Sequence, residues 1–107
     1  MNRQNDRVRG STTGRPIMRL LDVMGKRWSL RILWELQDDR LSFRELRERC
    51  DDVSPSSLNA RLKELRALDL VDLTKEGYGY TSWGRQLGER LIDLDQWAGK
   101  WDEERTH

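Results

Sequence analysis

Residues 42–68 read SFRELRERCDDVSPSSLNARLKELRAL, and the fold turns on this stretch. Ser42 and Glu45 have the spacing of a capping box, in which a hydroxyl takes the amide three residues on and the carboxylate returns to the amide of the cap. That box opens a helix carrying Phe43 and Leu46 and ending near Cys50. After Asp51-Asp52-Val53 comes a second cap, Ser54, with Pro55 at the first helical position and then Leu58, Leu62, Leu65 and Leu68 at helical spacing. This second helix is predicted over Pro55–Leu68. Two capped helices joined by so short a link have the form of a helix-turn-helix.

On the N-terminal side, Ile17, Leu20, Leu21 and Met24 recur on one helical face between Pro16 and Gly25, which predicts a first helix. Trp28, Leu30, Ile32, Leu33 and Leu36 predict a second, ending at Asp38-Asp39-Arg40. Both can cover the helix-turn-helix. On the C-terminal side, Leu70–Leu73 and Tyr78–Thr81 alternate apolar and polar around Lys75-Glu76-Gly77, a short hairpin. Thr81 or Ser82 then caps a last helix, 82–101, with Leu87, Leu91, Leu94, Ala98 and Trp101 on one face. The expected fold is mainly α (α+β): a winged helix-turn-helix over residues 16–101, with a short two-stranded wing and a C-terminal dimerisation helix. Residues 1–15 carry four arginines and no apolar period, which reads as a flexible basic arm, either tracking a minor groove or a plain tail. Residues 102–107 read as a C-terminal tail.

The chain has 107 residues, of which 24 are Leu, Ile, Val or Phe and 36% are charged. That is one small domain with a thin core. A late apolar stripe has little core left to join, so Ile17, Leu20, Leu87, Leu91, Leu94, Ala98 and Trp101 are expected at the interface of a twofold homodimer. Neither a membrane-spanning run nor a hydrophobic leader is present, which predicts a cytoplasmic protein without a membrane partner. Cys50 is the one cysteine and His107, the last residue, the one histidine. These exclude an intramolecular disulfide, a clustered metal site and histidine-based nucleophilic catalysis. No carboxylate pair sits in an apolar setting that would split its acid and base roles. The chain therefore reads as a non-enzyme with no metal and no cofactor. Cys50 itself fits either a small buried hydrophobe or a thiol sensor. The net charge of +1 conceals an asymmetry: residues 1–50 hold 12 Lys/Arg against 7 Asp/Glu, and residues 51–107 hold 8 against 12. A basic half can be a footprint for phosphates or an ordinary solvated surface.

Read together, the motifs resemble the HxlR-type family of bacterial winged-helix transcription regulators, within the MarR-like superfamily. Asp22-Val23-Met24-Gly25-Lys26-Arg27-Trp28 is similar to that family's Asp-x-x-Gly-x-Lys-Trp junction, and Ile32-Leu33-x-x-Leu36 to the helix after it. Phe43-Arg44-Glu45-Leu46, Val53-Ser54 with Leu58-x-x-Arg61-Leu62-x-x-Leu65, and Tyr80-Thr81-x-x-Gly84 continue the order, so that residues 16–97 are covered. The resemblance implies a DNA-binding regulator. Two departures stand out. Arg15 occupies the place where many members have a cysteine before Pro-Ile, which in some is a redox or electrophile sensor, so thiol sensing at that position is excluded. Only Thr74–Gly79 link the strands, a shorter wing than the family's usual one, so a deep minor-groove reach is not implied.

At about 100° per residue, Ser56, Ala60, Lys63 and Ala67 point away from the leucines of the second capped helix, with Asn59 and Arg61 flanking them. Small Ser56, Ser57 and Ala60 permit close approach to a major groove, Asn59 can pair with adenine, and Arg61 and Lys63 can reach guanine or phosphate. Ser54 and the helix-start amides can hold a phosphate. Arg61 also has an angle that suits a carboxylate within the chain. Lys26, Arg27, Arg44, Arg47 and Lys75 are candidate phosphate contacts. Trp28, Trp34 and Trp97 either line a pocket for a planar small-molecule effector or serve packing. The expected function is sequence-specific binding of double-stranded DNA by a dimeric repressor reading a (pseudo)palindromic operator with helix 55–68. The alternative is a winged-helix module for protein–protein interaction without operator binding.

Overall fold

The computed structural model describes residues 14–106. Residues 1–13, the bulk of the expected arm, and His107 lie outside the described residues. The order is α1 (Pro16–Met24), α2 (Ser29–Glu35), α3 (Phe43–Arg49), α4 (Pro55–Ala67), β1 (Val71–Thr74), β2 (Gly77–Tyr80) and α5 (Ser82–Arg105). The two strands pair antiparallel, Val71 opposite Tyr80 and Thr74 opposite Gly77. This is a winged helix-turn-helix, mostly helical, with a two-stranded wing and a long C-terminal helix.

Local chemistry accounts for the boundaries. Ser42 and Glu45 make the full capping box: Ser42 Oγ accepts from Glu45 N at 3.0 Å, and Glu45 accepts from Ser42 N at 2.8 Å. The Ser42 amide holds the Glu45 carboxyl below its usual pKa. Ser54 caps α4 by accepting from Ser57 N at 3.2 Å. Thr81 caps α5 by accepting from Gly84 N at 3.0 Å. Helix α4 ends in the paired backbone bonds of a Schellman motif, Leu70 N to Leu65 O (3.0 Å) and Asp69 N to Arg66 O (2.9 Å), and α3 ends in the single wide bond Asp52 N to Arg47 O (2.8 Å). Aspartates rather than glycines take the left-handed positions these ends require, with φ of 57° at Asp51, 56° at Asp52 and 59° at Asp69.

Each strand is shifted by one residue from the sequence reading, α2 ends at Glu35 ahead of the expected stop at Asp38-Asp39-Arg40, and three further features differ. Trp28 stands before α2 as its cap, with φ 78°, where apolar spacing had counted it as the first helical residue. Helix α5 runs on to Arg105, past the tail expected from residue 102, because its last turn is held by polar contacts that carry no apolar signal. Arg105 pairs with Asp102 at 3.0 Å and lies 4.4 Å from the Trp101 ring centre. Leu41, between α2 and α3, exchanges two backbone hydrogen bonds with Tyr78 (2.9 and 2.8 Å) and so adds a one-residue third strand to the wing.

The core is a single cluster in which Ile32 and Leu33 of α2, Leu46 of α3 and Leu58, Leu62 and Leu65 of α4 are buried, joined by Val71, Tyr78 and Tyr80 of the hairpin. Two glycines bring α5 down on this core. A Cβ on Gly84 would lie 1.9 Å from the Leu70 carbonyl oxygen, and one on Gly88 would lie 2.8 Å from the Tyr80 ring. Tyr80 passes beneath α5 and donates its hydroxyl to the Leu33 carbonyl. Gln37 at the end of α2 donates to the Gly88 carbonyl at 3.1 Å.

Burial pushes the Tyr80 phenol up to about 12. A raised phenol pKa favours the folded state fully below the ordinary value near 10, and that contribution is lost as pH rises from there through the folded value. Tyr80→Phe is expected to cost about 1 kcal/mol at neutral pH, since one buried hydrogen bond goes while the Leu33 carbonyl keeps a backbone partner. Chemical denaturation at stepped pH checks both effects: the wild type should lose stability above about pH 10 more steeply than the variant. Gly84→Ala should cost about 2–3 kcal/mol through overpacking against the Leu70 carbonyl, read as a lower denaturation midpoint.

Candidate nucleic-acid interface

Helix α4 has one side committed to the core and the other to water. Leu58, Leu62 and Leu65 are fully buried. Ser56, Asn59, Lys63 and Ala67 are exposed on the other side, and Ala60 is half-buried at its edge. The side chains of Asn59 and Lys63 make no hydrogen bond or ion pair to any described residue, so both keep their full bonding capacity for a ligand. Arg66, which the sequence reading passed over, is exposed beside them; it lies one turn after Lys63, a spacing that was available to find it. At the helix start the hydroxyls are engaged with one another: Ser54 Oγ donates to Ser57 Oγ at 2.9 Å and stands 3.4 Å from Ser56 Oγ.

The expected cations divide into two groups. Arg44 on α3 is almost fully exposed and only loosely paired with Glu48 (3.5 Å), Lys75 stands exposed in the wing turn, and Arg27 is exposed with its guanidinium 5.5 Å from the Trp28 ring centre. Lys26 and Arg61, in contrast, are drawn inward to one carboxylate. Glu64 Oε2 is 2.6 Å from Lys26 Nζ, and Glu64 Oε1 is 2.8 Å from Arg61 Nε. The second contact is an ion pair rather than an aligned hydrogen bond, for which the Nη2–Oε2 approach of 3.4 Å is the better candidate. Arg61 and Lys26 therefore leave the set of cations free to reach DNA. Arg47 is likewise occupied: it donates to the Val53 carbonyl at 2.7 Å and to that of Asp52 at 3.4 Å, clipping the turn between α3 and α4.

A surface helix with an unpartnered polar face, presented by a helix-turn-helix and flanked by a hairpin, is the geometry of a major-groove reader. Comparison with known proteins agrees. A family model described as HxlR-like helix-turn-helix matches residues 23–106. The chain belongs to this family. It is 28% identical over 92 residues to the HTH-type transcriptional regulator YybR of Bacillus subtilis, covering 79% of this chain and 74% of that one. It is 30% identical over 88 residues to YvaP of the same organism (76% and 82% covered), and 28% identical over 90 residues to MJ0925 of Methanocaldococcus jannaschii (80% and 85%). Among solved structures it is similar to quinone-bound YodB from B. subtilis, with a TM-score of 0.72 and 28% identity over 78% of this chain and 96% of that one. As a member of the HxlR-like family, the protein is a DNA-binding transcriptional regulator.

Away from α4, the residues expected at a dimer interface fall into two settings. Ile17, Leu94 and Trp101 are about half exposed, while Leu20, Leu87 and Leu91 pack in part against the chain's own core, and Ala98 is half-buried. Of the tryptophans expected to share a pocket, each has its own surroundings. Trp28 packs on the core at the α1–α2 junction, Trp97 stacks on Trp101 (ring centres 5.8 Å apart, planes 6° off parallel), and Trp34 lines an apolar groove of about 390 Å³ between α2 and α5 with Leu30, Leu91, Leu94 and Ala98. Of the three, Trp34 lines this groove and Trp28 and Trp97 do not, a division that spacing alone does not reveal. Cys50 is fully buried, and burial pushes its thiol pKa above the ordinary value, so it packs as a small hydrophobe. Among the described residues no group of His, Cys, Asp and Glu is placed to hold a metal ion, and no helix is long and apolar enough to cross a membrane.

The free face of α4 gives a separable prediction for its two open side chains. Lys63→Gln should make the dependence of log affinity on log salt shallower by about one unit on any duplex, as for one lost phosphate contact. Asn59→Ala should leave that slope unchanged and relax discrimination at one base position by about 1–3 kcal/mol, measured by competition between single-substituted duplexes.

Proposed function

We propose that this regulator acts as a twofold homodimer that represses transcription in the cytoplasm by occupying a (pseudo)palindromic operator, each protomer placing α4 in a major groove. The observation that carries the reading is the outward face of α4, where Ser56, Asn59, Lys63 and Ala67 are exposed and the two polar side chains with the longest reach are unengaged. Asn59 and the small residues read base edges, and Lys63 with Arg44, Arg27 and Lys75 sets affinity through phosphates. Two such helices related by a twofold axis fit half-sites one helical turn apart, about 34–36 Å.

The support for a second copy is α5. Beyond Leu91 it continues for some four turns with Leu94, Trp97 and Trp101 each about half exposed or more, and a helix of that length with an unburied apolar face is marginal alone in water. Ile17 and Leu21 of α1 are also about half exposed, and they supply apolar surface on the second element we assign to the dimer contact. The quinone-bound state of the structural neighbour supports a small planar effector here too. We assign it to the groove of Trp34, Leu30 and Leu94, where it would lie against the dimerising helix. Regulation then works by occupancy and needs no catalysed step.

Fluorescence anisotropy against the duplex flanking the protein's own gene, with scrambled duplex as competitor at two salt concentrations, tests the operator reading. A salt-sensitive preference of about 10³ or more for the native duplex is the expected result; equal, weak binding to both overturns it. Leu94→Glu should shift the protein from dimer to monomer in sedimentation velocity and weaken operator binding with it, because one half-site alone supplies half the contacts.

A further inference from the structure

Glu64 is the one carboxylate on the solvent-facing shoulder of α4, and it carries two cations. Arg61 lies one turn before it on the same helix, and Lys26 comes from the α1–α2 junction, 38 residues away in the chain. The three side chains are 22–28% exposed, so their mutual attraction is screened by salt less than that of a surface pair. Both cations therefore stay folded onto the protein at ionic strengths where an exposed lysine is free.

We propose that Glu64 determines specificity by withholding Arg61 and Lys26 from the DNA backbone. The inference rests on α4 being the DNA-contacting helix. Phosphate contacts raise affinity for every sequence alike, whereas discrimination comes from base edges. What matters to a regulator is the ratio of operator to random-sequence affinity, and each cation kept off the backbone lowers the second without touching the groups that read bases. With Glu64 in place, the reading face presents Asn59, three small residues and Lys63, with Arg66 beside it. Without it, an arginine and a second lysine swing free at the flank of the same helix, where any duplex offers phosphates to both. Glu64 also ties α4 to the α1–α2 junction, and a role confined to that tether would alter stability while leaving the electrostatics of binding alone.

The test uses the full chain and a random-sequence duplex of about 30 base pairs, with affinity followed by anisotropy from about 50 to 200 mM KCl, the range over which counterion release is readily resolved. Glu64→Gln is expected to steepen the salt slope by one to two units, seen as an additional ~3- to ~12-fold loss of affinity across that range for one or two new phosphate contacts. Adding Arg61→Gln to Glu64→Gln should remove about one unit of the gain. Arg61→Gln in the otherwise native chain should leave the slope as it is, and this arm decides the matter if thermal melting shows that Glu64→Gln does not fold. A native slope in Glu64→Gln, or a slope about one unit shallower in Arg61→Gln alone, overturns the proposal. Lys63→Gln separates the two levels: if it flattens the slope while Glu64→Gln changes nothing, the withholding role fails and the reading of α4 stands. If Lys63→Gln has no effect, the reading of α4 fails and the proposal with it.

Discussion

The leucine stripe of α4 is the constraint from which the rest of the molecule follows. Leu58, Leu62 and Leu65 are each buried to completion against Ile32, Leu33 and Leu46. Because a helix turns about 100° per residue, burying those three fixes which residues cannot be buried, and the opposite side carries Ser56, Asn59, Lys63 and Ala67. Packing in a small core and presentation to a groove are thus one requirement met by one periodicity. Close packing tolerates little rotation of such a helix, so the outward face is held as firmly as the core is dense.

Electrostatics then sorts the surface that packing leaves. A count of basic residues in the N-terminal half overstates what DNA can use, because the chain consumes several of them internally. Arg47 closes the turn between α3 and α4, Arg40 pairs with Asp72 at 2.7 Å and donates to the Gly77 carbonyl at 3.0 Å to brace the wing, and Arg31 joins Glu35 at 3.0 Å. The net charge near zero in a DNA-binding protein is consistent with this division. On the proposed reading, affinity rests on a few outward cations, while Arg47, Arg40 and Arg31 serve the fold.

How much of this was legible beforehand depends on how far apart the interacting residues lie. The capping box at Ser42, the Ser54-Pro55 start and the leucine spacing are local, and the structure follows them to within a residue. The wing turn and the Thr81 cap were readable for the same reason. Lys26 with Glu64 and Leu41 with Tyr78 were not, since 38 and 37 positions separate them and nothing in either neighbourhood marks a partner. Trp28 shows a different failure. Its apolar side chain satisfies a helical pattern, but the backbone there must reverse between α1 and α2, and a left-handed φ at a tryptophan has no signature in hydrophobic spacing. The half of Arg61 that pointed towards an internal carboxylate was already visible in its flanking angle, and Glu64 three residues on supplies it.

The contact of Gly84 and Gly88 with Leu70 and Tyr80 has a mechanical side. At these points backbone meets backbone or a packed ring, with no flexible side chain between to absorb displacement. Treated as one rigid body pivoting near Gly84, α5 and the wing share any rotation, with the far end of α5 roughly 30 Å away. On such an arm, a displacement of about 3 Å at Arg105 rotates the hairpin by only about 6°. In the proposed dimer such a linkage gears motion down, so that large, soft adjustments between subunits reach the wing as small changes of angle.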